Sequence, residues 1–173
     1  LVEASYEALG EDVSDVDFLM EEVAIATVGD VMELQGENRI FVKQGLEMLK
    51  RIQNLGLKAL IECTGIDAGR ISSYHTGYVL GPCINAGGRL DTAKRALDLL
   101  GAETKQEADL LAGDLKALND SRKEMTVKAV AEAVQIIDAG SLSRDRVLVV
   151  YLPECHESLA GIVAGRIRER YYK

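Results

Sequence analysis

Asp30 stands in Ala26-Thr27-Val28-Gly29-Asp30-Val31-Met32, flanked by apolar residues and preceded by a glycine that lets the backbone turn. A carboxylate in such a setting has to be hydrogen-bonded, ion-paired or metal-bound, because leaving its charge desolvated costs several kcal/mol. On spacing alone a helix-capping aspartate is the better reading and a metal ligand the competing one. A second group lies in Gly81-Pro82-Cys83-Ile84-Asn85-Ala86-Gly87-Gly88-Arg89-Leu90-Asp91. Glycines allow close backbone approach, amides at a helix start attract anions, and an arginine offers phosphate a bidentate fork. The segment reads equally well as a phosphate clamp built on Arg89 or as a structural turn with Arg89 bridged to Asp91. It lacks the Lys-Ser/Thr of a P-loop and does not carry the dinucleotide GxGxxG after a strand. A third group, Cys155-His156-Glu157-Ser158 running into Leu159-Ala160-Gly161-Ile162-Val163-Ala164-Gly165-Arg166, sets His156, Ser158 and Arg166 at a strand-to-helix passage of the kind that binds anions. A Ser-His nucleophile pair needs a third orienting group and a proximity that two residues' separation rarely provides, so a hydrolase triad is set aside. The basic end at Arg168, Arg170 and Lys173 reads as a solvated helix face.

Composition narrows the chemistry further. Cys63, Cys83 and Cys155 are odd in number and far apart, so they read as buried thiols, and His75 and His156 lack the i, i+4 partner of a zinc helix. Any metal must therefore rest largely on oxygen ligands. Asp15 and Asp17 form a DxD, but they open an amphipathic helix instead of following a strand, which makes them first-turn residues. The 173 residues carry a net charge of −8, yet residues 1–38 hold eleven acidic side chains and no Lys or Arg, leaving 17 acidic against 20 basic in the rest. An acidic lobe joined to a weakly basic one can hold cations in the first and phosphates in the second; a solvated acidic helix face is the plainer account. No apolar run is long enough to span a bilayer and no signal segment opens the chain, so it reads as cytoplasmic.

These groups need elements to position them. Leu1–Leu9 reads as the tail of a helix, and Ser14 or Asp15 can cap a second one running through Phe18, Leu19, Val23 and Ile25 to the break at Gly29 and Asp30. Glu37–Gln53 has an apolar stripe at helical spacing, followed by a short helix over Leu57–Cys63. Gly65 to Gly88 is punctuated by glycines and predicts a loop-rich region; Thr92–Leu100 is helical again. Thr104 with Glu107 forms a capping box opening a helix from Glu107 to about Asp138, long enough to bridge two lobes. Arg146–Leu152 (RVLVVYL) predicts a buried strand, and Leu159, Ile162, Val163 and Ile167 a helix packed on it.

Taken together, four blocks carry a resemblance: ATVGDVMELQGENRIFVKQGLEML, GPCINAGGRLDTAKRALDLL, LNDSRKE and PECHESLAGIVAGRIRERYYK. In this order and spacing they are similar to later core motifs of the DHH phosphoesterase superfamily, in its branch of single-stranded-DNA exonucleases. The resemblance covers nearly the whole chain and is weakest over Leu57–Tyr78. It implies a 5′→3′ exonuclease acting in DNA repair and recombination, with water activated by Mn²⁺ or Mg²⁺ and with single-stranded DNA, and other repair proteins, as partners. Asp30 falls on a metal-ligand aspartate of that family, which overturns the capping reading. Asn85 and Arg89 fall on a motif facing the DNA phosphates, and His156, Ser158 and Arg166 on the part that grips the strand. Cys155 and Ser158 depart from the aromatic and glycine usual there. The family's Asp-His-His triplet is absent, so the expectation is a middle fragment, inactive alone. Its fold class is mainly α within an α/β protein: residues 1–103 the C-terminal part of a DHH domain, 104–140 a connector helix, and 141–173 the first strand and helix of the associated substrate-binding domain. A DHH phosphodiesterase of short oligonucleotides or cyclic dinucleotides, and a non-enzymatic helical interaction module, are the alternatives.

Overall fold

A computed structural model describes residues 2–12, 19–140 and 142–172, and these are helices joined by turns and short irregular segments. The expected cap at Ser14 or Asp15 and the DxD at Asp15 and Asp17 lie outside the described residues. Helix α1 (Val2–Leu9) buries none of its side chains. Helices α2 (Met20–Gly29) and α3 (Gly36–Leu49) pack closely, because Gly45 of α3 presents no side chain where it meets Met20 and Ala24 of α2. Helix α4 (Leu55–Thr64) begins at Asn54, whose Oδ1 accepts from the Leu57 amide at 2.9 Å while its Nδ2 donates to the Leu100 carbonyl at 2.9 Å. One amide side chain thus satisfies the start of α4 and the end of helix α7 (Lys94–Leu100).

The largest difference from the sequence reading lies between Gly65 and Leu90. Only its first part is irregular; from Ser73 the chain is helical, as α5 (Ser73–His75), a π-helical stretch over Thr76–Leu80, and α6 (Gly81–Leu90). Glycine content misled here because tertiary packing outweighs propensity: Gly77 lies against Val28, and Gly87 lets α6 approach the Thr92 carbonyl and Leu115. Pro82 explains the π stretch. It has no N–H to give, and its ring crowds the carbonyl four residues back, so the preceding turn widens.

Helix α8 (Lys105–Ala139) runs 35 residues, roughly 50 Å, starting where Thr104 Oγ1 accepts from the Glu107 amide at 3.2 Å. The returning Glu107 carboxylate reaches the Glu103 amide at 3.3 Å, so the predicted capping box is shifted by one residue on that side. The first half of α8 buries Ala108, Ala112 and Leu115 in a core with Leu49, Leu57, Leu60, Leu80, Cys83 and Leu99. The second half buries Ala129, Ala133 and Ile137 against Val163 and Ile167 of helix α9 (Ala160–Tyr171). Small residues at i, i+4 along α8 let its neighbours sit close at both ends.

The predicted strand over Arg146–Leu152 is not formed. A strand is defined by its ladder, and no described residue pairs with this segment. The chain there is irregular, with Leu148, Val150 and Leu152 packed on the second core while Val147, Val149 and Tyr151 are exposed. Of the three cysteines only Cys83 is buried; Cys63 is exposed and Cys155 intermediate, so the expectation of three buried thiols is corrected.

Near the start of α2, burial raises the pKa of both Glu21 and Glu22, with repulsion from Glu22 a further cause for Glu21. Glu22 Oε2 is buried without a hydrogen-bond partner. Between the ordinary glutamate value and these raised values the folded protein holds protons that the unfolded chain has released, so stability falls as pH rises through that window. Glu22→Gln is expected to flatten that decline and add about 1 kcal/mol at neutral pH, read from urea denaturation at a series of pH values. Packing yields a second expectation. A Cβ at Gly56 would overlap the Leu99 backbone whereas one at Gly113 meets nothing, so Gly56→Ala should destabilise by about 2–3 kcal/mol and Gly113→Ala stabilise by about 0.5–1 kcal/mol. Equal effects at the two positions in the same denaturation assay would contradict this packing.

Candidate nucleic-acid interface

Asp30 is the residue that ends α2, its amide bonded to the Ala26 carbonyl at 2.9 Å. The next two amides close the helix, Val31 onto the Val28 carbonyl at 3.1 Å and Met32 onto the Thr27 carbonyl at 3.1 Å. This is a Schellman ending, whose left-handed position usually takes glycine. Here Val31 occupies it at φ 56° and is 87% exposed. A β-branched residue held there costs of order 1 kcal/mol or more, and such strain collects at functional positions. Asp30 sits at the C-terminal end of its helix, so it cannot serve as an N-cap, and its carboxylate has no hydrogen-bond or ion-pair partner among the described residues. The helix dipole disfavours an anion at that end and favours a cation. Asp30 is thus suited to be one ligand of a hard cation. No group of three or more His, Cys, Asp or Glu among the described residues could hold one, so a complete metal site is not formed by them.

Asp30 and Asn85 come together as lining residues of a cavity of about 270 Å³, shared with Glu22, Ile25, Gly81 and Ile84. The π-helical stretch brings them together, since it packs on the end of α2 and delivers α6 beside it. Asn85 and Arg89 are exposed and one turn apart on α6. Arg89 therefore lies in the last turn of a helix, not before a helix start, and the clamp has no free helical amides to offer. Its partner is not Asp91, which pairs with Arg95 instead. Arg89 Nη1 donates to the Ser158 carbonyl at 3.2 Å, joining α6 to the 3₁₀ turn Glu157–Leu159 that leads into α9.

His156 caps that turn. Its Nδ1 accepts from the Ser158 amide at 3.3 Å and lies 2.7 Å from Ser158 Oγ. An accepting Nδ1 places the neutral ring's proton on Nε2, leaving a donor free for a ligand. The Ser-His proximity that the sequence argued against is present, but no carboxylate among the described residues orients the ring, so they do not form a nucleophilic triad. Arg166 lies apart, eight residues further along, in a groove of about 670 Å³ between α8 and α9, where its Nη1 is 3.5 Å from Glu169. That groove also contains Arg122, which the sequence reading did not select. Arg122 belongs to the quoted LNDSRKE block, and the i, i+3 spacing of Asn119 and Arg122 on a helix was the signal available for it.

The structure thus unites Arg89, His156 and Ser158, unites Asp30 with Asn85, and leaves Arg166 in a neighbouring groove. No helix is long and apolar enough to cross a membrane among the described residues. No protein-family model matches the chain. It is 38% identical over 159 residues to the single-stranded-DNA-specific exonuclease RecJ of Escherichia coli, and 37% identical over 159 residues to that of Dickeya dadantii, covering 90% of this chain and 28% of each relative. RecJ of Bacillus subtilis is 36% identical over 157 residues, 91% of this chain and 20% of the relative. Among solved structures, Thermus thermophilus RecJ in complex with Mn²⁺ superposes with a TM-score of 0.77 at 31% identity, covering 95% of this chain and 24% of that one. An exonuclease RecJ bound to manganese superposes with a TM-score of 0.78 at 30% identity, covering 97% of this chain and 41% of that one. In sequence and in fold the chain is similar to RecJ proteins, and it spans about 28% of the length of the first relatives it matches.

Proposed function

We propose that this chain is an internal part of a cytoplasmic 5′→3′ exonuclease that hydrolyses single-stranded DNA in repair and recombination, and that it supplies the strand-binding side of the site. The observation that carries this reading is the Arg89–Ser158–His156 junction between α6 and the turn before α9. It presents a guanidinium, a hydroxyl and an imidazole in one place, next to the cavity where Asp30 and Asn85 meet. Arg89 and the free Nε2 proton of His156 are donors matched to phosphate oxygens, and Asn85 lies one turn closer to the metal-ligand candidate.

On this reading residues 1–103 belong to the DHH domain, 104–140 form the connector, and 141–173 open the second domain. Asp30 is one ligand of a divalent Mn²⁺ or Mg²⁺, its other ligands lying outside the described residues. When bound, such a cation supplies an activated water and neutralises charge on the scissile phosphate. The residues of this chain hold the strand: Arg89 and Asn85 fix a phosphate over the end of α2, and His156 and Ser158 close on it from the other side. Other repair proteins are the expected protein partners.

The intact protein containing this chain is expected to degrade single-stranded DNA with Mn²⁺, and to lose that activity about 10³-fold or more on Asp30→Ala. The chain by itself should show none. An active Asp30→Ala protein would remove the metal assignment, and preference for dinucleotides over long single strands would favour a small-substrate phosphodiesterase. Arg89→Ala should weaken strand binding and lessen the salt slope by about 0.7, the loss of one phosphate contact; unchanged binding across a salt titration would contradict the clamp.

A further inference from the structure

Asn119 is 1% exposed in the middle of α8, where a buried amide needs partners for both its ends. Its Nδ2 donates to Cys83 Sγ of α6 at 3.4 Å. Its Oδ1 accepts two bonds from Arg122, from Nε at 3.2 Å and Nη2 at 3.0 Å. Two donors on one oxygen fix the plane of the guanidinium, and three of its five N–H groups remain for another ligand. No carboxylate pairs with Arg122 among the described residues. Burial, and then the charge of Arg89, work against its ionised form. A half-buried, oriented and unneutralised guanidinium within electrostatic reach of a second arginine is stabilised by a bound anion.

The surroundings say which anion. Arg122 lines the groove between α8 and α9 together with Lys123, Thr126, Ile162, Arg166 and Arg170. Two of these cations already have carboxylate partners, Lys123 with Asp120 and Arg166 with Glu169, and Asp120 is shared with Lys116, so Arg122 is the groove cation that is oriented by an amide and not by a carboxylate. Arg89 stands on α6 at the other side, bonded to Ser158 at the entry to α9. Arg122 therefore connects the Arg89–Ser158 junction to the basic groove. We propose that Arg122 is a further phosphate-binding residue for the single strand, with Asn119 as its positioning residue, and that it carries the strand from Arg89 into the α8–α9 groove. This rests on the functional reading above. It adds to that reading a route for the backbone, and it gives the buried Asn119 a task beyond joining α6 to α8.

The test uses the intact protein with Mn²⁺, measuring thermal melting, kcat, KM and equilibrium binding of a fluorescent single strand across a salt series. Arg122→Gln keeps a donor for Asn119 but removes the charge; it should raise KM about tenfold with kcat within about twofold, and lessen the salt slope by about 0.7. Arg122→Lys should keep the slope while losing part of the affinity, because the charge stays and the fork is lost. Asn119→Ala should raise KM about threefold with the slope retained, since the charge remains but its orientation does not. If Asn119→Ala does not fold, the two Arg122 variants decide. A lower melting temperature for Arg122→Gln with unchanged KM and salt slope would make Arg122 a purely structural partner of Asn119 and overturn the proposal. A wild-type protein that neither cleaves nor binds single strands would instead bring down the functional reading first, and this one with it.

Discussion

A helix of 35 residues with charged residues along much of its length has no stability of its own to spare, so α8 must be held by what packs on it, and nearly every other feature follows from how that is done. Its two buried stretches are separate: Ala108, Ala112 and Leu115 at one end, Ala129, Ala133 and Ile137 at the other. The first recruits α4, α6 and α7; the second recruits α9 and the extended run Leu148–Leu152. Between them lies a length of α8 with less apolar cover, and there Asn119 and Arg122 occur. The polar centre of the molecule is thus a consequence of a helix that serves two cores. The Arg89 bond to Ser158 spans the same interval from the outside.

The Asp30 region shows how local cost and tertiary position are linked. The end of α2 leaves Val31 in a left-handed conformation that a glycine would adopt freely. The π-helical stretch before Pro82 is a second irregularity, and the two pack against one another through Gly77, Gly81 and the end of α2. Either would be unfavourable alone. Together they set the Asp30 carboxylate, which has no partner among the described residues, and the amide of Asn85 around one small cavity. Half-buried Glu22 lines the same cavity from nearer the start of α2, where burial works against its charged form.

Much of the architecture was legible from the residues. The apolar spacing of α3, α4 and α9, the cap at Thr104 and the length of α8 follow from helical periodicity, which is a local property. The run from Ser73 to Leu90 was not legible: its glycines resemble loop punctuation, and only the nearness of Val28, Thr92 and Leu115 shows that they are there for close packing. RVLVVYL failed for the opposite reason. Its composition is that of a strand, but a strand exists only through a partner, and none of the described residues supplies one.

The same division holds for the site. The chain by itself determined which chemistries were available: a lone aspartate in apolar company, arginines among small residues, a His-x-Ser turn, and no cluster of soft metal ligands. It also carried the similarity to the RecJ proteins, 37–38% identity over 159 residues. What only the tertiary structure decided was which of these groups meet. Arg89 bonds Ser158 across 69 positions of sequence, Asn85 joins Asp30, and Asn119 orients Arg122. Spacing along a helix specifies neighbours within a turn or two, whereas a contact between α6 and the entry to α9 depends on how both pack against α8, and that is set by side-chain volumes and glycine approaches spread over the whole chain.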